Sequence, residues 1–385
     1  MTRLDDDIVT AMGDWRRDLH AHPETAFTEM RTSAFVAAQL AMDGFAVHRG
    51  LAETGVVGTL SIGDGPVIGL RADMDALFVE EKTDLAYVSR HAGKMHACGH
   101  DGHTTMLLGA ARQLARSRNF RGTLHVIFQP AEENEGGGRR MIDDGLFELF
   151  PCSEVFGLHN WPALPLGSFA INRSTMMAAF DTFEITVTGR GCHGAMPETG
   201  IDPFIATAQI VLALQTIVSR HLSPMEQAVV SITQIHGGDT WNVIPDSVVL
   251  RGTVRSMSPE VQAKIESQMR SLAQSIAGGY GATAHLAYEH RYPATVNTAA
   301  SANKAAKAAQ AVVGEDRVIA DCAPSMASED FGFMLERLPG AYIFMGVADE
   351  GHRASLHNPS YDFNDAALAT GASYWVSLVE QRLSV

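Results

Sequence analysis

The sequence predicts an α/β protein: a three-layer αβα domain with a mostly parallel sheet, into which a ferredoxin-like α+β domain is inserted. Three observations carry that prediction. Continuous apolar runs such as TLHVIFQ (123–129) read as strands buried on both faces. Such runs alternate with stretches of helical spacing, the rhythm of a parallel sheet with crossover helices. From about Phe180 the rhythm changes to βαββαβ, and after Pro293 the first rhythm resumes. The expected boundaries are therefore 1–179 with 294–385 for one domain and 180–293 for the other.

Taken in order, apolar spacing predicts a helix over 6–19 and a second over 29–42, stopped at Gly44. Short β-like runs follow over 45–49, 56–62 and 66–71, the last leading into RADMDAL. MHACGHDGH (95–103) comes next, and the helical HTTMLLGAARQLARS after it places Asp101 at the N-cap, with the motif on a loop before the helix. The strand 123–129 leads into PAEENEGGG and a helix over 139–144, and SEVFGLHN (153–160) repeats the scheme with His159 at a strand end. In the insertion, strands are expected over 180–188, 228–236, 247–256 and 282–289, with helices over 203–220 and 259–277. A helix over 300–313, a strand over 341–346 and a helix from 364 to about 383 close the chain.

Composition narrows the functions. A chain of 385 residues, 46% hydrophobic and 19% charged, can bury two cores. Its formal net charge of -15 repels nucleic acid and anionic membranes, so neither is an expected partner. No apolar run is expected to be long enough to cross a bilayer, and the acidic, amphipathic N-terminus lacks a signal-peptide core. The four scattered cysteines, Cys98, Cys152, Cys192 and Cys322, make no disulfide framework. A reducing cytoplasm is the expected compartment.

In an open α/β sheet, ligands bind beyond the carboxyl ends of the strands. Four separate stretches put metal-type donors there: Cys98 with His100, Glu132 with Glu133, His159, and His357 in SLHNPS. Any one alone reads as a polar strand end or a solvated turn. Their coincidence, with a thiolate among them, points to a metal centre, because imidazole and thiolate are the donors that first-row transition metals favour. Asp73 and Asp75 follow a strand near the same place, either orienting a ligand or capping the loop.

RADMDAL, MHACGHDGHT, QPAEE, GLHNWP, GRGCHGAMP, NVIPD, GTVR, ASEDFGFML and LHNPSYDFND follow one another in an order that resembles bacterial and plant metal-dependent amidohydrolases. The likeness is to the branch of hippurate hydrolase and the indole-acetyl-amino-acid hydrolases, within the aminoacylase and carboxypeptidase G superfamily. It runs from about Trp15 to the C-terminus and implies a dinuclear-metal catalytic domain interrupted by a lid and dimerisation domain. By that resemblance Cys98, His100, Glu133, His159 and His357 are the ligands of two divalent transition-metal ions, and Glu132 is the general base. The chemistry is consistent: two cations ~3.5–4 Å apart acidify a water and polarise an amide carbonyl. A carboxylate outside the coordination sphere must then pass the proton to the departing amine. A thiolate ligand disfavours magnesium and calcium and leaves zinc, manganese, cobalt and nickel.

The resemblance also makes His193 a donor to the oxyanion formed on the neighbouring subunit's substrate, against the plain alternative of an exposed loop histidine. Asn242 and Arg255 match positions that bind the substrate carboxylate; the alternative for Arg255 is a structural ion pair. Phe78 stands where relatives usually carry proline, Cys192 interrupts the usual glycine pair before His193, and Gly194 replaces a common alanine. These departures bear on the acyl pocket and not on the metal donors. Cys192 itself is a small filler, a further soft ligand or an oxidation-sensitive thiol. The expected activity is hydrolysis of N-benzoyl, N-acetyl or indole-acetyl amino acids by a homodimer. A dipeptidase or carboxypeptidase on the same scaffold is the nearest rival, although no lid residue announces the acidic partner a free N-terminus needs. Two further rivals are a hydrolase with Cys98 as nucleophile and a non-catalytic metal-binding module, which would have no need of Glu132.

Overall fold

The structure is a computed structural model and describes residues 4–384. The chain begins with α1 (Asp6–Ala21), α2 (Met30–Met42), β1 (Ala46–Leu51), β2 (Gly55–Ile62), β3 (Val67–Asp73) and α3 (His100–Ser117). Next come β4 (Gly122–Gln129), α4 (Gly137–Asp143), α5 (Leu146–Leu149), β5 (Glu154–Pro165), β6 (Phe169–Ile171) and β7 (Thr175–Met177). It continues with β8 (Ala179–Thr188), β9 (Cys192–His193), α6 (Pro203–Thr216), β10 (Ala228–His236), β11 (Val243–Ile244) and β12 (Ser247–Ser256). Then follow α7 (Pro259–Gly279), β13 (Thr283–Tyr292), β14 (Thr295–Val296), α8 (Ala299–Val313), β15 (Val318–Ala320), α9 (Gly332–Arg337), β16 (Gly340–Ala348) and α10 (Leu368–Arg382). The elements form two compact units. One holds the residues up to Met176, Val296–Pro324 and those from Asp330 onward, and the other holds Met177–Thr295 with Ser325–Glu329.

The first unit is built on an eight-stranded sheet in the order β1-β2-β4-β3-β5-β16-β6-β15. Its centre, β4-β3-β5-β16, is parallel, while β1, β2 and β4 pair antiparallel at one side. β3 and the first half of β5 are buried almost throughout, as strands covered on both faces must be. The apolar stripes of α1, α3, α8 and α10 share one core with these strands.

α3 begins earlier than its sequence suggests. Gly99, left-handed at φ 88°, takes the N-cap, so His100 is already helical and Asp101 lies inside the first turn. Asp101 is drawn away from capping by His20, whose Nδ1 lies 2.8 Å from its carboxylate. A Cβ at position 99 would run into the Asn160 carboxamide, so the glycine is required for space as well as for its φ.

The second unit is a four-stranded antiparallel sheet in the order β10-β12-β8-β13, which is the ferredoxin-like arrangement. Burial alternates along β8, with Phe183, Ile185 and Val187 facing Ile210 and Leu214 of α6 and Ile265 and Met269 of α7. Asp202 and Ser258 cap these helices ahead of a first-turn proline, accepting the Phe204 and Val261 amides. The last turn of the first of them widens to a π-helix over Ile217–His221. The expectation about membrane-length runs needs correcting here: Pro203–His221 has the length and a mean hydropathy of 1.2, and 33% of that stretch is buried. Its buried stripe, Ala206, Thr207, Ile210 and Leu214, is that of a helix laid on a sheet.

Candidate metal centre

The first unit gathers all five expected ligands and the expected base into one cluster. The donor atoms of Cys98, His100 and His159 lie within 4.8 Å of one another, and so do those of Cys98, Glu133 and His357. Cys98 belongs to both groups. A third group joins His100 to Glu132 and Glu133.

Main-chain carbonyls orient the two buried imidazoles. His100 Nδ1 donates to the Asp75 carbonyl at 2.9 Å, and His159 Nδ1 donates to the Asn160 carbonyl at 2.7 Å. A carbonyl only accepts, so each ring presents Nε2 to the cluster. His159 Nε2 lies 3.5 Å from the Cys98 sulfur. His159 itself sits within β5, which runs on to Pro165, and not at a strand end. His357 approaches from the far side of the sequence in a left-handed conformation (φ 62°), its amide bonded to the Ala97 carbonyl at 2.8 Å. Its Nε2 is 3.1 Å from Glu133 Oε1; the His357 side chain is 54% exposed and that of Glu133 11%.

The glutamates follow β4 on a turn held by buried carboxylates. Glu29 accepts the Ala131 amide at 2.9 Å, and the two oxygens of Asp75 accept the Glu132 and Glu133 amides at 3.0 Å each. The Ala131 carbonyl takes the Gly137 amide at 2.8 Å. Ala131 is left-handed at φ 54°, a conformation that costs a non-glycine residue about 1–2 kcal/mol. Hydrogen bonds at both of its backbone groups offset that strain. Through this turn two adjacent glutamates can serve different purposes.

The electrostatics favour a cation. Burial and the Glu133 and Glu132 carboxylates push the Cys98 thiol well above its ordinary range, a push that a bound cation would oppose. Burial holds His159 neutral, as a ligand must be. Burial opposes a proton on His100, but Asp73 and Asp75 prevail and raise it to about 10. The surroundings thus call for positive charge at His100 Nε2, a buried atom with no hydrogen-bond partner. Sulfur, imidazole and carboxylate donors with an unfilled buried atom among them fit two divalent ions.

Two carboxylates near the cluster do different work from one another. Asp75 orients His100 and clamps the glutamate turn. Asp73 instead bonds Arg71 and His103 at 2.6 Å each, and is 3.9 Å from His100 Nε2. His103 shares a potential metal group with Asp73 and His100, yet its Nε2 accepts the Asn160 amide at 2.9 Å. No lone pair is left for an ion, so His103 braces the backbone beside His159. Arg71 and Asp330 complete the buried network, with Asp330 accepting from Gln129 and from the Gly138 amide at 2.7 Å. Glu29, His103, Asn160 and Asp330 were not marked by sequence as site residues. His103 stood inside the richest motif; Glu29 gave no signal.

In the second unit, His193 and Asn242 meet on the ribbon of β9 and β11, where the Gly194 amide bonds the Asn242 carbonyl at 2.7 Å. Both are exposed. The Ala195 amide donates to His193 Nδ1 at 3.1 Å, which leaves the ring proton on Nε2. Arg255 reaches the Ser328 hydroxyl at 2.6 Å and lies 4.1 Å above the Phe180 ring. Among the described residues no carboxylate lies within ion-pair distance of it, although the Asp181 carboxylate favours its charge. Cys192 is half-buried.

The sequence profile of peptidase family M20/M25/M40 matches residues 69–381. A hippurate hydrolase of Campylobacter jejuni is 42% identical over 376 residues, covering 97% of each chain. An N-acetyl-L-cysteine deacetylase of Bacillus subtilis is 38% identical over 370 residues, 96% of this chain and 87% of its own. A solved Bacillus subtilis structure, titled a dinuclear metal binding peptidase from the M20 family, has a TM-score of 0.87 at 34% identity, covering 98% of this chain and 99% of that one.

Proposed function

The chain belongs to peptidase family M20/M25/M40, and from that premise we propose a metal-dependent amidohydrolase that cleaves N-acyl amino acids to a carboxylic acid and a free amino acid. The observation that carries this reading is the gathering of thiol, imidazole and carboxylate donors into overlapping groups of three, the donor atoms of each group within 4.8 Å of one another. In it Cys98, His100, Glu133, His159 and His357 hold the ions. When bound, they supply Lewis-acid activation of water and of the scissile carbonyl. Glu132 takes the proton of the attacking water and delivers it to the departing amine, since an amide anion is too poor a leaving group. Asp75, through two backbone amides, sets where the glutamates stand.

His193 donates from Nε2 to the oxyanion that develops on the neighbouring subunit's substrate, and Arg255 with Asn242 binds the substrate carboxylate. The tautomer of His193 and the lack, among the described residues, of a carboxylate within ion-pair distance of Arg255 support these assignments. The names of the relatives favour benzoyl and acetyl groups on the acyl side. The thiolate donor favours zinc, manganese, cobalt or nickel. Homodimerisation through the second unit is supported by its open edge strand β10 and by Ile205 and Leu212, exposed on α6. Four free cysteines support a reducing, cytoplasmic setting. The rival in which Cys98 attacks the substrate is disfavoured by a thiol pushed so far up.

The test is release of amino acid from N-benzoyl, N-acetyl and indole-acetyl amino acids and from dipeptides. Chelator-stripped protein is compared before and after return of zinc, manganese, cobalt or nickel. Activity restored on the N-acyl set is expected. Activity indifferent to chelation, or confined to dipeptides, would overturn the reading.

A further inference from the structure

The family profile begins at residue 69, yet residues 22–29 (HPETAFTE) touch both loops that carry the site. The Ala76 amide, next to Asp75, donates to the Glu24 carbonyl at 2.8 Å, and Thr25 bridges to Ala76. At the other end of the segment, the fully buried Glu29 accepts the Ala131 amide at 2.9 Å and the Thr54 hydroxyl at 2.7 Å. Ala131 is the left-handed residue directly before Glu132, and its partner lies 102 residues away in the chain.

We propose that Glu29 is a positioning residue for the reaction: by holding the Ala131 amide it sets the left-handed turn from which Glu132 and Glu133 diverge into base and ligand. The proposal rests on the hydrolase reading above. Two features separate this role from ordinary core filling. Among the described residues no lysine, arginine or histidine pairs with Glu29, so it is a buried carboxyl held only by directional donors. Both donors come from loops, one of them the turn itself. Burial and the Asp75 carboxylate raise Glu29 to about 7, so a neutral amide is a close substitute. In Glu29→Gln the carboxamide oxygen still accepts the Ala131 amide, and its NH2 group faces the Thr54 oxygen. Glu29→Ala loses both contacts.

The experiment compares Glu29→Ala and Glu29→Gln with the parent for kcat and KM at full metal loading, and for the visible absorption bands of the cobalt(II)-loaded proteins. For Glu29→Ala we expect kcat to fall roughly 10–100-fold with KM within about twofold, as for other residues that act through a ligand. Its cobalt bands shift as Glu133 moves, and Glu29→Gln returns both readouts to the parent. Parental kcat and cobalt bands in Glu29→Ala, or equal defects in Ala and Gln variants, would overturn the proposal. Should Glu29→Ala not fold, Thr54→Val removes one of the two contacts and is expected to lower kcat and shift the bands in the same sense; no change there overturns it. If the parent hydrolyses no N-acyl amino acid, the hydrolase reading fails and the cobalt bands alone decide. A shift in Glu29→Ala that Glu29→Gln reverses then upholds the turn-setting role, and no shift sinks it.

Discussion

His100, His159 and the glutamate turn are fixed by buried main-chain and carboxylate partners, whereas His193 and Asn242 ride exposed on a ribbon two residue pairs long. The difference follows from what each group meets. Donors to an ion work only at set distances and angles, so the scaffold must build them before anything binds. Groups that meet a passing substrate must be reachable from water, and rigid burial would defeat them. One region is therefore organised by the fold; the other, under the proposed function, would be organised by its ligand.

The contrast can be broken or sharpened by experiment. Glu132→Gln should lower kcat by ~10²–10⁴ with metal content unchanged; loss of metal in that variant would put Glu132 among the ligands. His193→Ala should lower kcat by ~10²–10³, as for one oxyanion donor, with parental metal content and unfolding midpoint. A drop in either of those two would mean that the ribbon belongs to the rigid part after all. Arg255→Ala should raise KM for the substrate roughly 10–100-fold while kcat holds, the loss of one charge-assisted contact; a kcat effect without a KM effect would reassign the residue.

The smallest effect concerns the support beneath α3. Burial opposes protonation of His20, but Asp101 and Glu81 prevail and raise it to about 9. A raised histidine stabilises the fold fully below its unfolded pKa of about 6.5, and that contribution is lost as pH climbs through about 9. Unfolding free energy should therefore fall by roughly 1–3 kcal/mol across this window, and His20→Gln should flatten the slope. An identical slope in parent and variant would remove His20 from the scaffold's account.

Local pattern carried much of this into the sequence. The parallel strands and the βαββαβ insertion were legible because burial on two faces and on one face leave different periodicities. The gathering of these side chains in one place was legible because cysteine, histidine and paired glutamates recurred after predicted strands. Asp101 was misjudged because capping propensity is local, while its actual partner, His20, lies 81 residues earlier in the chain. Glu29 was invisible for the same reason, since a carboxyl that caps a distant backbone amide leaves no spacing to read. The true N-cap, Gly99, was set by the crowding of Asn160 and Tyr361 and not by any side-chain preference.

Asp75 reaches further than its two hydrogen-bonded glutamate amides suggest, because its own carbonyl also anchors His100. A single residue is thus the common datum for an imidazole and for the glutamate pair. A displacement of the segment just beyond β3 that carries Asp75 would move all three together, changing their spacing less than their positions. On warming, the centre should keep its internal dimensions until that segment lets go, so that its function is lost abruptly and not by degrees.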